Sequence, residues 1–258
     1  MRNNGDGTFT DQTDEAGLLV DFSQSRAVVF ADFDADHDTD LFVCNADAPS
    51  LLFANARLGT FTTLSGRFTP AVHKHAVAVA ESDFNRDGDA DLLVAGGREL
   101  YLYDNDGEAR FTARPVPLPT RLAVSGVGRI DVFDYNDDGW LDLLLAGADG
   151  QSLALLAGDP SGDFHDVSSS ATLDTYRGQV ADMAAGDLDG DGDADLVLLT
   201  RDRGLRLLRG DGNGQRRGIS VRLVGKKVNR SGYGATVEIA AGRHYQKQTV
   251  RDGRLHFG

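Results

Sequence analysis

An aspartate-rich loop that recurs is the feature that most constrains this chain. "DFDADHDTDLFV" begins at Asp32, "DFNRDGDADLLV" at Asp83, "DYNDDGWLDLLL" at Asp134 and "DLDGDGDADLVL" at Asp187, at intervals of 51, 51 and 53 residues. A second marker keeps the same phase. Turns rich in Gly, Asn and Asp lead into Phe9, Phe61, Phe111 and Phe164, each 22 or 23 residues ahead of the next aspartate loop. A fixed period of this length signals a repeat architecture, in which each unit buries its apolar faces only by stacking on its neighbours.

Within a unit every apolar run is short. "AVVFA", "AVAVA", "IDVF" and "VADMAA" precede the loops and runs such as "DLLVAG" follow them. A third segment comes next, as in "LYLYDN" or "LRLLRG", and a fourth follows the glycine turn, as in "GTFTTLS". Runs of this length bounded by Gly, Asn and Asp are strands, since none can present a helical face. Four antiparallel strands per repeat predict an all-β chain: a β-propeller of about four blades over residues 1–215 and a small β module over 218–258. The module reads as two or three strands, "ISVRLVG", "ATVEIAA" and "YQKQTV".

The phase opens inside a unit, at the turn before a fourth strand, and Arg216 stands near where the next phenylalanine is due. This is expected of a ring closed by the strand around Phe9 pairing with the last blade, or of a piece of a longer propeller. The second is favoured here, because the opening residues read as the interior of a blade and "MRNNGDGTFTD" holds no apolar leader.

Numbered from its first aspartate, each loop carries carboxylate or amide side chains at positions 1, 3, 5 and 9. These are Asp32, Asp34, Asp36 and Asp40; Asp83, Asn85, Asp87 and Asp91; Asp134, Asn136, Asp138 and Asp142; and Asp187, Asp189, Asp191 and Asp195. The backbone carbonyls at position 7, from Asp38, Asp89, Trp140 and Asp193, complete a hard oxygen set that suits Ca²⁺, up to four ions in all. Glycine at position 6 permits the positive φ of a tight turn in three loops, whereas His37 leaves the geometry of the first in question. The fourth loop, with four carboxylates and its glycine, is expected to be among the tightest, and the Trp140 side chain is expected to cover its site. An EF-hand would place its last ligand, a glutamate, at the start of a helix. Here position 9 runs directly into "LFV", "LLV", "LLL" or "LVL", so the last ligand opens a strand. Solvated acidic turns are the plain alternative, but four in phase with one spacing favour calcium.

Charge follows the same loops. Removing their 14 proposed aspartate ligands from the 40 acidic residues leaves 26, equal to Lys plus Arg, so the net charge of −14 resides there. A chain this acidic, without a basic stripe, is not expected to bind nucleic acid, and no apolar run is long enough for membrane insertion by a helix. Cys44, the one cysteine, reads as a small buried hydrophobe. No nucleophile motif, zinc motif or phosphate loop occurs, and His73 and His75 in "VHKHAVAVA" read as surface polar residues. No catalytic or organic-cofactor site is therefore expected.

The four loops and their flanks resemble the FG-GAP or VCBS repeats of integrin-α-like β-propellers. The tail, through "RLVG", "NR", "GA" and "LHFG", resembles a partial ASPIC/UnbV module of cartilage-acidic-protein-like proteins, with Tyr233 as a departure and an end at Gly258 where such a module would continue. The resemblance implies structural calcium and an extracellular, periplasmic or cell-surface location. It points to a non-catalytic propeller that binds a protein or glycan, as in adhesion. The alternatives are a propeller-based lyase or hydrolase with active residues in missing blades, or an architectural spacer.

Overall fold

Each aspartate loop reverses the chain between two strands, and the run of apolar residues after it supplies the second of them. In the computed structural model, residues 2–19, 23–69, 75–211, 219–226, 232, 235–241, 244–250 and 254–257 are described. A two-stranded hairpin, β1 (Arg2–Asn3) and β2 (Phe9–Thr10), comes first. Blade 1 is a meander of β3 (Ser25–Ala31), β4 (Asp40–Asn45), β5 (Leu51–Asn55) and β6 (Phe61–Leu64). The short β7 (Phe68–Thr69) then lies parallel to the outer edge of blade 2, which contains β8 (Ala76–Ser82), β9 (Asp91–Gly96), β10 (Glu99–Asn105) and β11 (Phe111–Pro115). A single turn of helix, α1 (Thr120–Ala123), leads to blade 3: β12 (Val127–Phe133), β13 (Asp142–Gly147), β14 (Leu153–Gly158) and β15 (Phe164–Asp166). Blade 4 has three strands among the described residues, β16 (Val180–Gly186), β17 (Asp195–Thr200) and β18 (Gly204–Leu208).

The blades stack face to face, with their first strands side by side: β3 beside β8, β8 beside β12, and β12 beside β16. That is the propeller arrangement, with the first strand of each blade innermost. Strand alternation makes it possible, because successive side chains point to opposite faces. In β9, Leu92 and Val94 join Phe42, Cys44 and Leu52 of blade 1 in one core. Leu93 and Ala95 join Leu143 and Leu145 of blade 3 in the next. Leu144 of β13 then packs with Leu196 of blade 4. Cys44 is fully buried in the first of these cores, and burial pushes its thiol up to about 12, as suits a small hydrophobe.

Phe9 pairs its strand with β1, opposite Asn3, and among the described residues not with the last blade. One expectation needs correction. The tail holds four strands where two or three were expected: β19 (Ile219–Arg222) pairs with β22 (Arg254–Phe257), and β20 (Thr236–Ala241) with β21 (His244–Thr249). The missed strand lies in "RLHF", too short to announce itself by alternation. Tyr233 and His73 lie outside the described residues.

Two glycines meet where the approach to blade 3 passes blade 2. Gly126 sits at φ +73, and a Cβ there would stand 1.9 Å from the Gly97 carbonyl oxygen of blade 2. Gly204 shares the positive φ but has open space around it. Gly126→Ala should therefore lower stability by about 2–3 kcal/mol, whereas Gly204→Ala should cost only the backbone term of about 1 kcal/mol. Urea denaturation of both variants tests this, and equal midpoints would remove the steric account.

Candidate metal centres

The four loops share one backbone design. Positions 4 and 6 are both left-handed: Ala35 and His37, Arg86 and Gly88, Asp137 and Gly139, Gly190 and Gly192. His37, at φ 69, thus adopts the glycine conformation, and the first loop closes like the others. Side-chain oxygens then cap successive amides. The position 5 N–H donates to position 3, as Asp87 to Asn85 at 2.9 Å, and the position 7 N–H donates to position 5, as Asp89 to Asp87 at 2.9 Å. The same pair of bonds recurs at Asp36 and Asp38, at Asp138 and Trp140, and at Asp191 and Asp193. The position 1 carboxylate accepts from the far side of the turn, as from Gly88 to Asp83 and from Gly139 to Asp134.

Position 9 does more than offer an oxygen. Asp40, Asp91, Asp142 and Asp195 are buried, and each opens the second strand of its blade. One oxygen accepts the N–H of position 2, from Phe33, Phe84, Tyr135 or Leu188, at 2.7–3.0 Å. The other accepts an N–H at the end of the third strand, from Asn55, Asn105, Gly158 or Gly210, at 2.8–2.9 Å. Where that residue is asparagine, its side-chain amide also donates to the position 8 carbonyl, Thr39 or Ala90. Where it is glycine, the position 8 carbonyl of Leu141 or Ala194 fills the space a Cβ would need.

Carboxylate oxygens at positions 1, 3 and 9 lie within 4.8 Å of one another in loop 1 (Asp32, Asp34, Asp40) and in loop 4 (Asp187, Asp189, Asp195). Position 5 is outside these groups, and loops 2 and 3 have asparagine at position 3. The donors fit a hard divalent cation, and Asp83 Oδ1 is buried without a hydrogen-bond partner, as an oxygen awaiting a cation would be. Electrostatics agree. Burial pushes Asp91 and Asp142 up to about 8, and Asp40, Asp83 and Asp134 up to about 6, against an ordinary 3.8. Accepted backbone N–H groups pull these values down, while neighbouring carboxylates, such as Asp134 and Asp138 beside Asp142, add to the rise.

Basic side chains attend every loop, and none was anticipated from the sequence. Arg57 pairs with Asp38, Arg209 with Asp189 and Asp191, and Lys247 donates to the Gly88 carbonyl. Arg86 crosses from loop 2 to loop 3, its guanidinium 3.6 Å from the centroid of the Trp140 ring. Trp140 therefore bridges two blades through a cation–π contact. The asparagine pins were also missed, although a signal existed: Asn55 and Asn105, like Asn3, stand six residues before the marker phenylalanine. Of the histidines, His75 is exposed and His165 pairs with Asp159. No helix among the described residues is long and apolar enough to cross a membrane.

Comparison with known proteins follows the same periodicity. Residues 83–145 and 134–198 match the family model of the FG-GAP-like repeat. Over 134 residues, 50% of this chain, the sequence is 31% identical to cartilage acidic protein 1 of Mus musculus, of which this covers 20%. Over 171 residues it is 28% identical to cartilage acidic protein 1 of Xenopus tropicalis, covering 62% of this chain and 26% of that protein. The chain thus spans about a fifth to a quarter of these relatives. Among solved structures, a lectin of Agrocybe aegerita described as recognising non-reducing terminal N-acetylglucosamine matches with a TM-score of 0.51 at 18% identity. That match covers 83% of this chain and 57% of the lectin, and it concerns the fold alone.

The left-handed backbone at His37 gives a direct test of the loop design. The His37 side chain is exposed and lies 3.7 Å from the Asp32 carboxylate. His37→Gly should relieve the positive-φ cost and stabilise the protein by about 1 kcal/mol. A loss of stability in a denaturation curve would show that the imidazole contributes more than its backbone strain.

Proposed function

From a chain whose residues 83–198 are FG-GAP-like repeats, we propose that it is a calcium-stapled, non-catalytic propeller segment outside the cytoplasm, whose blade surfaces bind a protein or glycan. The convergence of Asp32, Asp34 and Asp40, and of Asp187, Asp189 and Asp195, carries the calcium reading. Bound calcium would supply positive charge that neutralises these carboxylates. The chain's own groups do the rest: positions 1 and 3 offer side-chain oxygens, position 9 anchors the loop to two strands, and the position 7 carbonyl is the expected backbone ligand. Extracellular modules commonly bind calcium with Kd of about 10⁻⁴–10⁻³ M, which suits constant occupancy and a structural role. The relatives' name, cartilage acidic protein, favours a setting outside the cell. The lectin's sugar recognition makes a glycan one of the two ligand classes to test.

Removing the cation should cost stability in a pH-dependent way. The buried carboxyls have raised values, so the metal-free fold holds protons more tightly than the unfolded chain. The stability this confers is complete below about pH 4 and lost as pH rises through about 6 and then about 8, the values of these carboxyls. In EDTA the Tm should therefore fall between about pH 5 and about pH 9. Calcium should raise the Tm most at the upper end, by about 2.7 kcal/mol of stabilisation at a hundredfold excess over Kd. A Tm indifferent to calcium throughout this range, with no calcium by elemental analysis, would refute the metal reading.

The recognition reading has its own measurement. Calcium-loaded protein on a glycan array, and as bait for extracellular proteins, should retain a ligand after EDTA-free washing. Empty results in both formats would reduce the chain to an architectural spacer.

A further inference from the structure

Loop 3 takes its cation from its neighbour. In loops 1 and 4 the basic partner is an exposed arm: Arg57 reaches Asp38, and Arg209 reaches Asp189 and Asp191, with side chains 67% and 57% exposed. Such arms can swing into water at little cost. Lys247 of the tail donates to the Gly88 carbonyl of loop 2. Loop 3 is attended instead by Arg86, which belongs to loop 2 and is half-buried.

The backbone of loop 2 puts Arg86 there. It is the position 4 residue, left-handed at φ 64. Its equivalents are Ala35, Asp137 and Gly190, so of the four loops only loop 2 carries a cation at this position. From it the guanidinium lies 3.6 Å from the ring centroid of Trp140, the chain's one tryptophan and the position 7 residue of loop 3. Its Nη2 is buried and has no hydrogen-bond partner among the described residues. Burial works against the charge, and the carboxylates that support it are Asp134, Asp138 and Asp83, in that order. Positions 1 and 5 of loop 3 thus favour Arg86 ahead of position 1 of its own loop. An arginine does not shed its proton to escape such a place. The face of one ring and the field of three carboxylates therefore hold a permanent positive charge beside loop 3.

We propose, on the calcium reading of the loops given above, that Arg86 is the resident counter-cation of loop 3, held by the Trp140 ring, and sets the calcium affinity of loop 3 below what the loop's own oxygens would give. Without metal, its charge offsets part of the repulsion among Asp134, Asp138 and Asp142. Beside a divalent cation the same charge is repelled, in a half-buried place where solvent and salt screen weakly. Asp134 and Asp138 cannot serve both. The opposition is reciprocal: Arg86 weakens the site, and occupancy of the site loosens Arg86 from the ring by the same free energy. A residue of blade 2 thereby tunes the cation site of blade 3, which Arg57 and Arg209, on exposed arms of their own blades, do not do across blades.

Trp140 is both the contact and the reporter. Calcium titrated into the metal-free full chain should change its fluorescence saturably, and Arg86→Gln should lower the Kd of that phase about fivefold or more. Melting supplies a second measurement that holds even if a variant is less stable. The rise in Tm from EDTA to calcium should be larger in Arg86→Gln than in the parent chain. It should also be larger in Trp140→Leu, which frees the guanidinium, changes no charge and keeps the position 7 carbonyl. If the parent chain binds no calcium by calorimetry, the calcium reading fails and the proposal with it. If it binds calcium, but Arg86→Gln binds no more tightly or both variants show the parent's rise in Tm, the proposal alone is overturned.

Discussion

Everything in a blade hangs on the position 9 aspartate. Its two oxygens accept an N–H from the start of the loop and another from the end of the third strand, so one buried carboxylate fixes the turn, the opening of β4, β9, β13 or β17, and the width of a three-strand sheet. Burying a charge is costly unless it is compensated. Two backbone donors compensate in part, and burial still pushes the carboxyls of Asp40, Asp91 and Asp142 up. A cation shared with positions 1 and 3 would offset that remainder in the same place. The acidity of the chain and the integrity of its strands are thus one problem.

Loops so anchored form a continuous rim. Asn105 of blade 2 donates to the Phe33 carbonyl in loop 1, Arg86 of loop 2 stacks on Trp140 of loop 3, and Asn136 and Asp137 of loop 3 share a cavity wall with Asp193 and Ala194 of loop 4. Below the rim, alternation sends each second strand's residues to two different cores. Each inner blade therefore depends on both neighbours.

Much of this was legible in the sequence, for a physical reason: stacking repeats must present the same residues at the same places, so period, loop ligands and strand order are all written in phase. The opening of a strand at position 9 could be read from "DLLV" and its relatives. What could not be read lay in conformations that side-chain identity does not announce. Position 4 is left-handed in all four loops, yet holds Ala35, Arg86 and Asp137 as well as Gly190, because the Asx bonds around it impose the geometry. Contacts between repeats were equally hidden. Arg86 meets Trp140 and Lys247 meets Gly88 only once the blades and tail are placed, and no local spacing encodes either.

The anchoring also separates stability from recognition. An oxygen at position 9 cannot release its amides without freeing a third strand, so a cation held there would be coupled to sheet pairing. Positions 2, 8 and 9 are occupied by these internal bonds, and the guanidiniums of Arg57 and Arg209 already hold outward carboxylates of loops 1 and 4. A partner, were one bound, would therefore meet surfaces that the repeat does not use to hold itself together, where residues can vary from blade to blade without loosening a strand.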